Sequence, residues 1–452
     1  MSTRFRGVVL TLLFLAMLIN YMDRAALSIA MPFISKTFSL SPSEKGIVFS
    51  SFFVGYALFN VIGGYLSDRI GPKRVFTWAM LCWSGCCALT AAASGFVSLL
   101  VFRTAFGMGE GPISATANRT VANWFPTGER ARAVGLNQAG GPLGGALAGP
   151  VVGFMAIQFG WRLAFVVVGC LGVLWVLAWA RLATDHPRQN ARVSSDEAAL
   201  IAQDSAMGVT GRAQAAIEAS SGTARTIFRN PAVYVMAFSL FCCSYNQFFF
   251  LTWFPTYLVE QKHLSLAEMS VVSSFPWLAG ALGYVLGGLA IDALYRLTGK
   301  VLLSRKVVLV VCLALGGACV ALTGQIESAR GAVSVMSIGV GFVMLTSTAY
   351  WALIQAIAPR DAVGGASGLM HGLGNISGIV APTLTGFVIQ STRSYSMAFT
   401  IAGALALLGA VAVAFLIREP ATGAGPCVHI PIDWNSRAES EDSPVSSSAA
   451  SD

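Results

Sequence analysis

Long apolar stretches follow one another along most of the chain. A helix of about 20 apolar residues crosses a hydrocarbon core of about 30 Å and satisfies its own backbone hydrogen bonds. The pattern predicts twelve membrane-spanning helices, at roughly 8–33, 44–66, 74–94, 98–121, 131–155, 162–183, 232–257, 266–292, 305–325, 330–353, 364–389 and 395–417. The first stretch is too long for a cleaved signal and carries a charge pair in its interior.

A polar segment divides these stretches into two groups of six. Residues 184–231 carry charges of both signs, and a Ser-Ser-Asp-Glu cap predicts a short helix near 194–206. The Ser/Pro/acid-rich tail has the composition of a disordered segment. We therefore predict an N-terminal bundle at 1–183, a cytoplasmic linker at 184–231, a C-terminal bundle at 232–417 and a disordered cytoplasmic tail at 418–452.

The composition agrees with a membrane protein. Of the 452 residues 55% are hydrophobic and only 11% are charged, whereas soluble domains carry about 25% charged residues. The predicted fold class is an all-α integral membrane protein with two six-helix bundles in the lipid bilayer, and we expect a monomer.

The basic residues predict the orientation in the membrane. Most of the 29 Lys and Arg lie in the terminal segments, the linker and the loops on the same side as these. The opposite loops hold Lys36, Lys45, Arg162, Lys262, Arg330 and Arg393. By the positive-inside rule both termini are cytoplasmic. The net charge of +8 thus reflects topology, and we expect no nucleic-acid partner.

The cysteines do not indicate a metal site or a disulfide framework. Eight of the nine lie in apolar stretches, and their spacing matches neither zinc nor disulfide patterns. Buried free Cys is a small apolar packing residue. No metal and no cofactor other than protons is expected.

The two halves carry related segments. GGYLSDRIGPKR (63–74) follows the second stretch, and GGLAIDALYRLTGK (287–300) follows the eighth. Two related six-helix units around a central site are a transporter plan. The first segment resembles the loop 2–3 signature of the major facilitator superfamily, and the six-linker-six layout agrees over residues 1–417. The resemblance assigns gating or structural roles to Asp68, Arg69 and Arg74, although a plain positive-inside loop is the alternative.

Four charged residues lie deep inside the spans. They are Asp23, Arg24, Arg103 and Glu110. A charge at mid-membrane costs about 2.5–3.5 kcal/mol on insertion scales, so such residues face a cavity or one another. Arg103 and Glu110 are two helical turns apart and are predicted to share one face. A structural ion pair that locks two helices is the alternative.

The sequence around these charges narrows the family. NYMDR (20–24), FRTAFGMGEG (102–111), ANRTVANWFP (117–126) and QFFFLTWFPTYL (247–258) resemble the anion:cation symporters of that superfamily, whose bacterial members carry galactonate, glucarate, hexuronates and other small carboxylates. The resemblance implies proton coupling at Asp23 and Glu110. It also implies a small-molecule carboxylate as the substrate, bound at Arg24 and Arg103.

The same resemblance and the polar groups of other spans add further candidates. Tyr21 and Tyr56 match tyrosines that contact the substrate. Gln138, Trp351 and Asn375 are polar or amphipathic groups on spans expected to line the cavity. Arg119 is interpreted as a structural or gating residue. His371 is interpreted as a packing or structural residue, although it could also carry a proton, and packing is the alternative for Trp351.

Simple chemistry links the acids to the arginines. The Arg fork donates two charge-assisted hydrogen bonds to a carboxylate. An acid beside an Arg is stabilised in its charged form. When a substrate carboxylate competes for the Arg, the acid loses that support and takes up a proton, so anion and proton bind together.

Two alternatives to proton symport are considered. GALAGPVVG (145–153) resembles a motif associated with antiporters, although small residues at this spacing also let helices approach closely. An enzyme would require a catalytic motif, and the chain contains no GxSxG, P-loop or metal-ligand cluster. The prediction is proton-coupled import of a sugar acid across a bacterial inner membrane, with a dicarboxylate or an aromatic acid as the alternative substrate.

Overall fold

The computed structural model describes residues 5–201, 230–358 and 363–417, and their regular structure is helical throughout. The helices are α1 Arg6–Phe38, α2 Pro42–Ile70, α3 Pro72–Leu89, α4 Phe96–Glu110, α5 Ile113–Trp124, α6 Thr127–Phe159, α7 Trp161–Leu182, α8 Pro231–Glu260, α9 Leu266–Val272, α10 Ser274–Thr298, α11 Val301–Thr323, α12 Ala329–Ile357, α13 Val363–Asn375, α14 Ser377–Thr392 and α15 Tyr395–Leu416. The prediction of an all-α membrane fold is confirmed.

The number of spans is close to the twelve predicted. Within the described ranges ten helical stretches are long and apolar enough to cross a membrane, or eleven if the bent pair Pro42–Asn60 and Ile62–Ile70 is one span. The predicted stretch at 98–121 is instead two shorter helices, α4 and α5. They meet at Gly111–Pro112, where Pro112 has no backbone N–H to donate.

The start of the linker packs on the first bundle. Residues 195–201 are helical, in agreement with the helix predicted near 194–206. The buried Glu197 accepts hydrogen bonds from the backbone N–H groups of Phe5 (2.9 Å) and Arg6 (3.2 Å), and so caps α1. Residues 202–229 and the tail at 418–452 lie outside the described residues, and the domain boundaries stay predictions.

Glycines let α2 and α4 approach closely. A Cβ on Gly55 would collide with the Thr104 carbonyl oxygen, and a Cβ on Gly107 with that of Phe52. Small residues at such a crossing allow backbone-to-backbone contact in a membrane. The contact holds the buried side of α4, with Arg103 and Glu110, against the aromatic side chains of α2.

The two halves meet at the end of the molecule that carries the turns at Ser39, Gly160, His263 and Arg393, which we call the closed end. There the Ser50 hydroxyl donates to the Ile379 carbonyl oxygen at 2.8 Å and accepts from Thr383 at 2.6 Å. The Ser274 hydroxyl of α10 donates to the Ala146 carbonyl oxygen of α6 at 2.6 Å.

A charged cluster reinforces the closed end. Lys45 at the start of α2 forms an ion pair with Oε1 of Glu260 at the end of α8. The Tyr395 hydroxyl at the start of α15 donates to Oε2 of the same carboxylate at 2.5 Å. Lys45 belongs to the first half, and Glu260 and Tyr395 to the second. We call these three residues the Lys45 clasp.

The GALAGPVVG segment also lies at the closed end. Gly145 faces the ring of Trp277, and a Cβ on Gly149 would collide with the Ser270 carbonyl oxygen. The small residues therefore allow close packing between the halves, in agreement with the packing interpretation of this segment.

Candidate functional site

Glu110 is the centre of a buried polar group between α1 and α4. Oε1 of Glu110 accepts from Nε of Arg24 at 2.5 Å and also from Nδ2 of Asn20. Asn20 and Arg24 are one helical turn apart on α1, so both side chains reach the same face. Glu110 is fully buried, and its second oxygen, Oε2, has no hydrogen-bond partner in the part of the chain that the structure describes.

Asp23 faces a different helix. Its Oδ2 accepts from the Trp83 indole N–H at 3.1 Å, and the Cys87 thiol lies 3.9 Å from Oδ1. Both partners are on α3. Asp23 is fully buried, and these two donors are neutral groups rather than the neighbouring Arg24.

Arg103 is buried and under-satisfied. Only 3% of its surface is exposed, and no described residue forms a hydrogen bond with Nε or Nη1. Its guanidinium lies 4.5 Å from the ring centroid of Phe106 and 5.3 Å from that of Phe52, which are cation–π distances. The base that contacts Glu110 is therefore Arg24, and Arg103 has donors that no described side chain accepts.

Both arginines line one small cavity. Phe49 and Phe52 of α2 and Thr252 of α8 line it with them, so both halves contribute to its wall. Arg24 is also surrounded by aromatic rings, with its guanidinium 4.9 Å from the centroid of Tyr56 and 5.4 Å from that of Tyr21. The structure thus brings together Tyr21, Arg24, Tyr56, Arg103 and Glu110.

The remaining binding candidates lie elsewhere. Trp351 of α12 and His371 of α13 have ring centroids 5.6 Å apart, and the Asn375 amide is 3.1 Å from the His371 ring nitrogens. These three residues form a group of their own in the second half. Gln138 of α6 is exposed. Exposed polar groups within a span usually face a water-filled cavity.

The residues of the loop signature contact their own half. Asp68 pairs with Arg119 at 3.5 Å, and both side chains are largely exposed. Arg69 lies over the ring of Tyr65 at 5.3 Å, and Arg74 is exposed. Asp185, which the sequence did not single out, accepts from the Lys73 backbone N–H at 2.8 Å and caps α3.

Sequence reasoning missed the partners of the two acids. Asn20 binds Glu110, and Trp83 and Cys87 bind Asp23. An amide inside an apolar stretch, as in LINYMDR, is a usable signal, because such a group needs a partner. Trp83 and Cys87 gave no signal, since both are ordinary packing residues.

Chemically, this site suits an anion. Two arginines face one cavity while only Arg24 has a carboxylate partner, so Arg103 offers unused donors to a planar oxyanion. An anion that enters this cavity would compete with Glu110 for Arg24. A sequence profile described as Major Facilitator Superfamily matches residues 13–382. The chain belongs to the major facilitator superfamily.

Relatives within this superfamily cover nearly the whole chain. The hexuronate transporter of Bacillus subtilis is 42% identical, over 91% of this chain and 94% of the relative. The probable sulfoacetate transporter SauU of Cupriavidus necator is 34% identical, over 91% and 94% of the two chains. The probable galactarate/D-glucarate transporter GarP of Escherichia coli is 30% identical, over 92% and 95%.

Solved structures show the same fold. A bacterial homologue of the human lysosomal transporter Spinster superposes with a TM-score of 0.71 at 19% identity, over 93% of this chain and all of that one. The superfamily profile and the transporter relatives together show that the protein is a multi-pass membrane transporter of a bacterial family and not an enzyme.

Proposed function

We propose that this transporter imports a sugar acid together with protons across the bacterial inner membrane. The names of the relatives support the substrate class, because hexuronate and galactarate/D-glucarate transporters are 42% and 30% identical over almost the full chain. A sugar acid combines a carboxylate with hydroxyl groups, and the site offers arginines beside the Tyr21 and Tyr56 side chains.

The observation that carries the proposal is the state of Arg103. A buried guanidinium with two unpartnered nitrogens is unfavourable unless a hydrogen-bond acceptor binds it during function. Its donors adjoin the cavity that Arg24 also lines. A carboxylate in that cavity supplies the missing acceptors for Arg103 and competes with Glu110 for Arg24.

Proton coupling follows from this competition. In the structure Arg24 balances the charge of Glu110. When the substrate carboxylate takes over Arg24, Glu110 is left buried and uncompensated, which favours the uptake of a proton. Anion and proton then bind and leave together, which is symport by linkage.

The position of the closed end fits alternating access. The contacts of Ser50, Ser274 and the Lys45 clasp lie between the halves at the end opposite Phe5 and Ile417. With both termini cytoplasmic, this end faces the outside and the structure corresponds to an inward-facing state. Import then requires these contacts to open and close in each cycle.

The test is uptake of labelled glucuronate by the full chain in liposomes. A pH gradient that is acidic outside the liposomes should drive accumulation of glucuronate above the external concentration. A proton ionophore should abolish this accumulation. Equal uptake with and without the gradient would refute proton coupling. Absence of uptake for every hexuronate, aldonate and aldarate would refute the substrate class.

Transport of another small anion is the alternative, and one observation favours it. A relative named as a probable sulfoacetate transporter is 34% identical, and Arg forks bind sulfonates and carboxylates alike. Thermal-shift measurements with glucuronate, glucarate, sulfoacetate, a dicarboxylate and benzoate distinguish these anions, because a bound ligand stabilises the folded protein.

A further inference from the structure

Asn20 and Glu110 touch each other, and each has one buried atom without a partner. The contact joins Nδ2 of Asn20 to Oε1 of Glu110. Among the described residues, Oδ1 of Asn20 and Oε2 of Glu110 have no hydrogen-bond partner. Both side chains are at least 99% buried. A buried acceptor without a donor is costly. Because the two side chains are in contact, a hydrogen bond between Oε2 and Oδ1 would give both atoms a partner.

A side-chain amide suits both protonation states of a carboxyl group. It donates through its N–H₂ group and accepts through its carbonyl oxygen. Toward a carboxylate only the donor is useful, and this is the contact seen here. Toward a carboxylic acid the donor and the acceptor are both useful, because the acid offers a carbonyl oxygen and an O–H group.

We infer that the coupling proton binds Oε2 of Glu110 and is held there by a hydrogen bond to Oδ1 of Asn20. The inference rests on the proposed function and names the atoms that carry the proton. The Nδ2–Oε1 contact persists, so acid and amide form a ring of two hydrogen bonds. The net charge of the site stays the same, because the substrate carboxylate replaces Glu110 as the counter-ion of Arg24 and the added proton neutralises Glu110.

The other charged groups of the site are unsuited to this role. Arg24 and Arg103 are donors only, so neither accepts the hydrogen bond of a protonated acid. The oxygens of Asp23 already face Trp83 and Cys87 on α3. Asn20 is the neutral side chain that contacts Glu110 directly, and it is a positioning residue rather than a ligand of the substrate.

Infrared difference spectroscopy of the full chain in liposomes tests the inference. Adding glucuronate should produce the carbonyl band of a protonated carboxyl group, and Glu110→Gln should lose it. In Asn20→Leu, which has a similar shape but no polar atoms, this band should move to higher wavenumber because the hydrogen bonds are gone. Uptake driven by a pH gradient should fall roughly tenfold, the effect of one buried hydrogen bond.

Asn60→Leu is the matched control. The Asn60 amide donates to the Gly111 carbonyl oxygen at 3.3 Å, next to Glu110 in the chain but not to its side chain. The carboxyl band should keep its position in this variant. A band that moves equally in both variants would overturn the inference, because it would reflect general loosening of the site.

A second measurement avoids any folding defect of Asn20→Leu. In the unaltered protein with ¹³C-labelled asparagine, glucuronate should move a side-chain amide carbonyl band to lower wavenumber, and Glu110→Gln should lack this shift. A carboxyl band that depends on Glu110 without an amide shift would overturn the role of Asn20 alone. Without a carboxyl band in the unaltered protein, both the inference and the coupling role of Glu110 fail.

Discussion

Adjacent residues on a helix point about 100° apart, and this turns Asp23 and Arg24 toward different neighbours. Arg24 faces α4 and pairs with Glu110, while Asp23 faces α3 and binds Trp83. The two acids therefore have different environments: Glu110 contacts the base that a substrate carboxylate would bind in the proposed mechanism, and the hydrogen bonds of Asp23 come from neutral donors. We therefore expect Glu110 to be the acid more directly linked to anion binding.

Replacing Arg103 by Lys tests the anion site. The Lys ammonium is a point charge and cannot form the two parallel hydrogen bonds of a guanidinium. We expect Arg103→Lys to weaken glucuronate binding about tenfold or more, the loss of one charge-assisted hydrogen bond, measured by calorimetry on the purified protein.

Arg162→Lys is the control for this change. Arg162 stacks on Trp161 with 4.4 Å to its centroid and donates to the Ala93 carbonyl oxygen at the closed end. Affinity should be kept in this variant. Unchanged affinity in both Arg103→Lys and Arg24→Lys would place the anion site elsewhere.

Glu110→Gln separates proton coupling from exchange. Gln has a similar shape to the protonated acid but cannot titrate, and both arginines remain to bind the substrate. We expect exchange of internal for external substrate to persist and accumulation driven by a pH gradient to be lost. Counterflow and pH-driven uptake on the same liposomes measure the two activities.

A purely structural ion pair predicts a different outcome for the same variant. Loss of the Glu110 charge would leave Arg24 buried without its counter-ion and weaken folding and exchange together. Normal pH-driven accumulation by Glu110→Gln would instead contradict the coupling role and leave Asp23 as the candidate.

At the scale of single residues, the sequence predicted which charges matter but not which ones meet. Charged residues inside an apolar stretch are visible because lipid penalises them. Their partners depend on helix rotation and crossing, which the spacing within one helix does not fix. For this reason the sequence does not predict that Arg24 and Asn20 are the side chains that bind Glu110.

At the scale of helices, hydropathy located the spans well because lipid requires long apolar helices. The interruption at Gly111–Pro112 was not predicted. Pro112 cannot donate a helical hydrogen bond, and a Cβ on Gly111 would collide with the backbone of α2 at Phe59 and Asn60, so the break lies at a close helix crossing. Such close contacts between helices leave no periodic signal in the sequence.

Asp68→Asn tests the role of the C-terminal end of α2, which lies on the same side of the molecule as Phe5 and Ile417. Asp68 and Arg119 are largely exposed, so their ion pair contributes little to the stability of the state described here. If Asp68 docks on the second half in the opposite state, Asp68→Asn should favour the present state and slow transport several-fold without loss of binding. Accessibility of cysteines introduced into the cytoplasmic cavity reports the shift.

Asp196→Asn is the control variant. Asp196 is another exposed acid on the side of the molecule opposite the closed end, and it lies in the linker. The variant should leave cysteine accessibility and transport unchanged. If Asp68→Asn leaves the accessibility unchanged as well, the proposed docking of Asp68 is wrong.

At the scale of the whole molecule, we expect the Lys45 clasp to stabilise the state in which the two halves are in contact at the closed end. Tyr395 and Glu260 both belong to the second half, so opening of the closed end separates only Lys45 from the cluster. Lys45→Gln should therefore increase the population of the state in which the closed end has opened. Spin labels at the exposed Thr37 and Ser391 should then move apart.

Two further variants make this test specific. Lys262→Gln removes a Lys that binds the Ile326 and Glu327 carbonyl oxygens within the second half, and the label distance should stay as it is. The swap of Lys45→Glu with Glu260→Lys should restore the closed distance. An unchanged distance in Lys45→Gln would show that the clasp does not set the equilibrium.

The sequence predicted the overall architecture but not this clasp. The loop signature and the six-linker-six pattern belong to the superfamily plan. Lys45 and Glu260 lie more than 200 positions apart in the chain, and Lys45 was used only to count charges for topology. The expected monomer and the disordered tail stay predictions.

The charge balance of the site has a consequence for electrical driving forces. Arg24, Arg103, Asp23 and Glu110 together carry no net charge when all are ionised, and a monocarboxylate with one proton on Glu110 adds none. A membrane potential does about 2.3 kcal/mol of work per 100 mV on each charge that crosses, and here no net charge would cross. At equal pH on both sides, a potassium diffusion potential with valinomycin should therefore leave glucuronate uptake unchanged. Uptake that rises with an inside-negative potential would mean that a second proton enters with each anion, and Asp23 would be the residue to carry it.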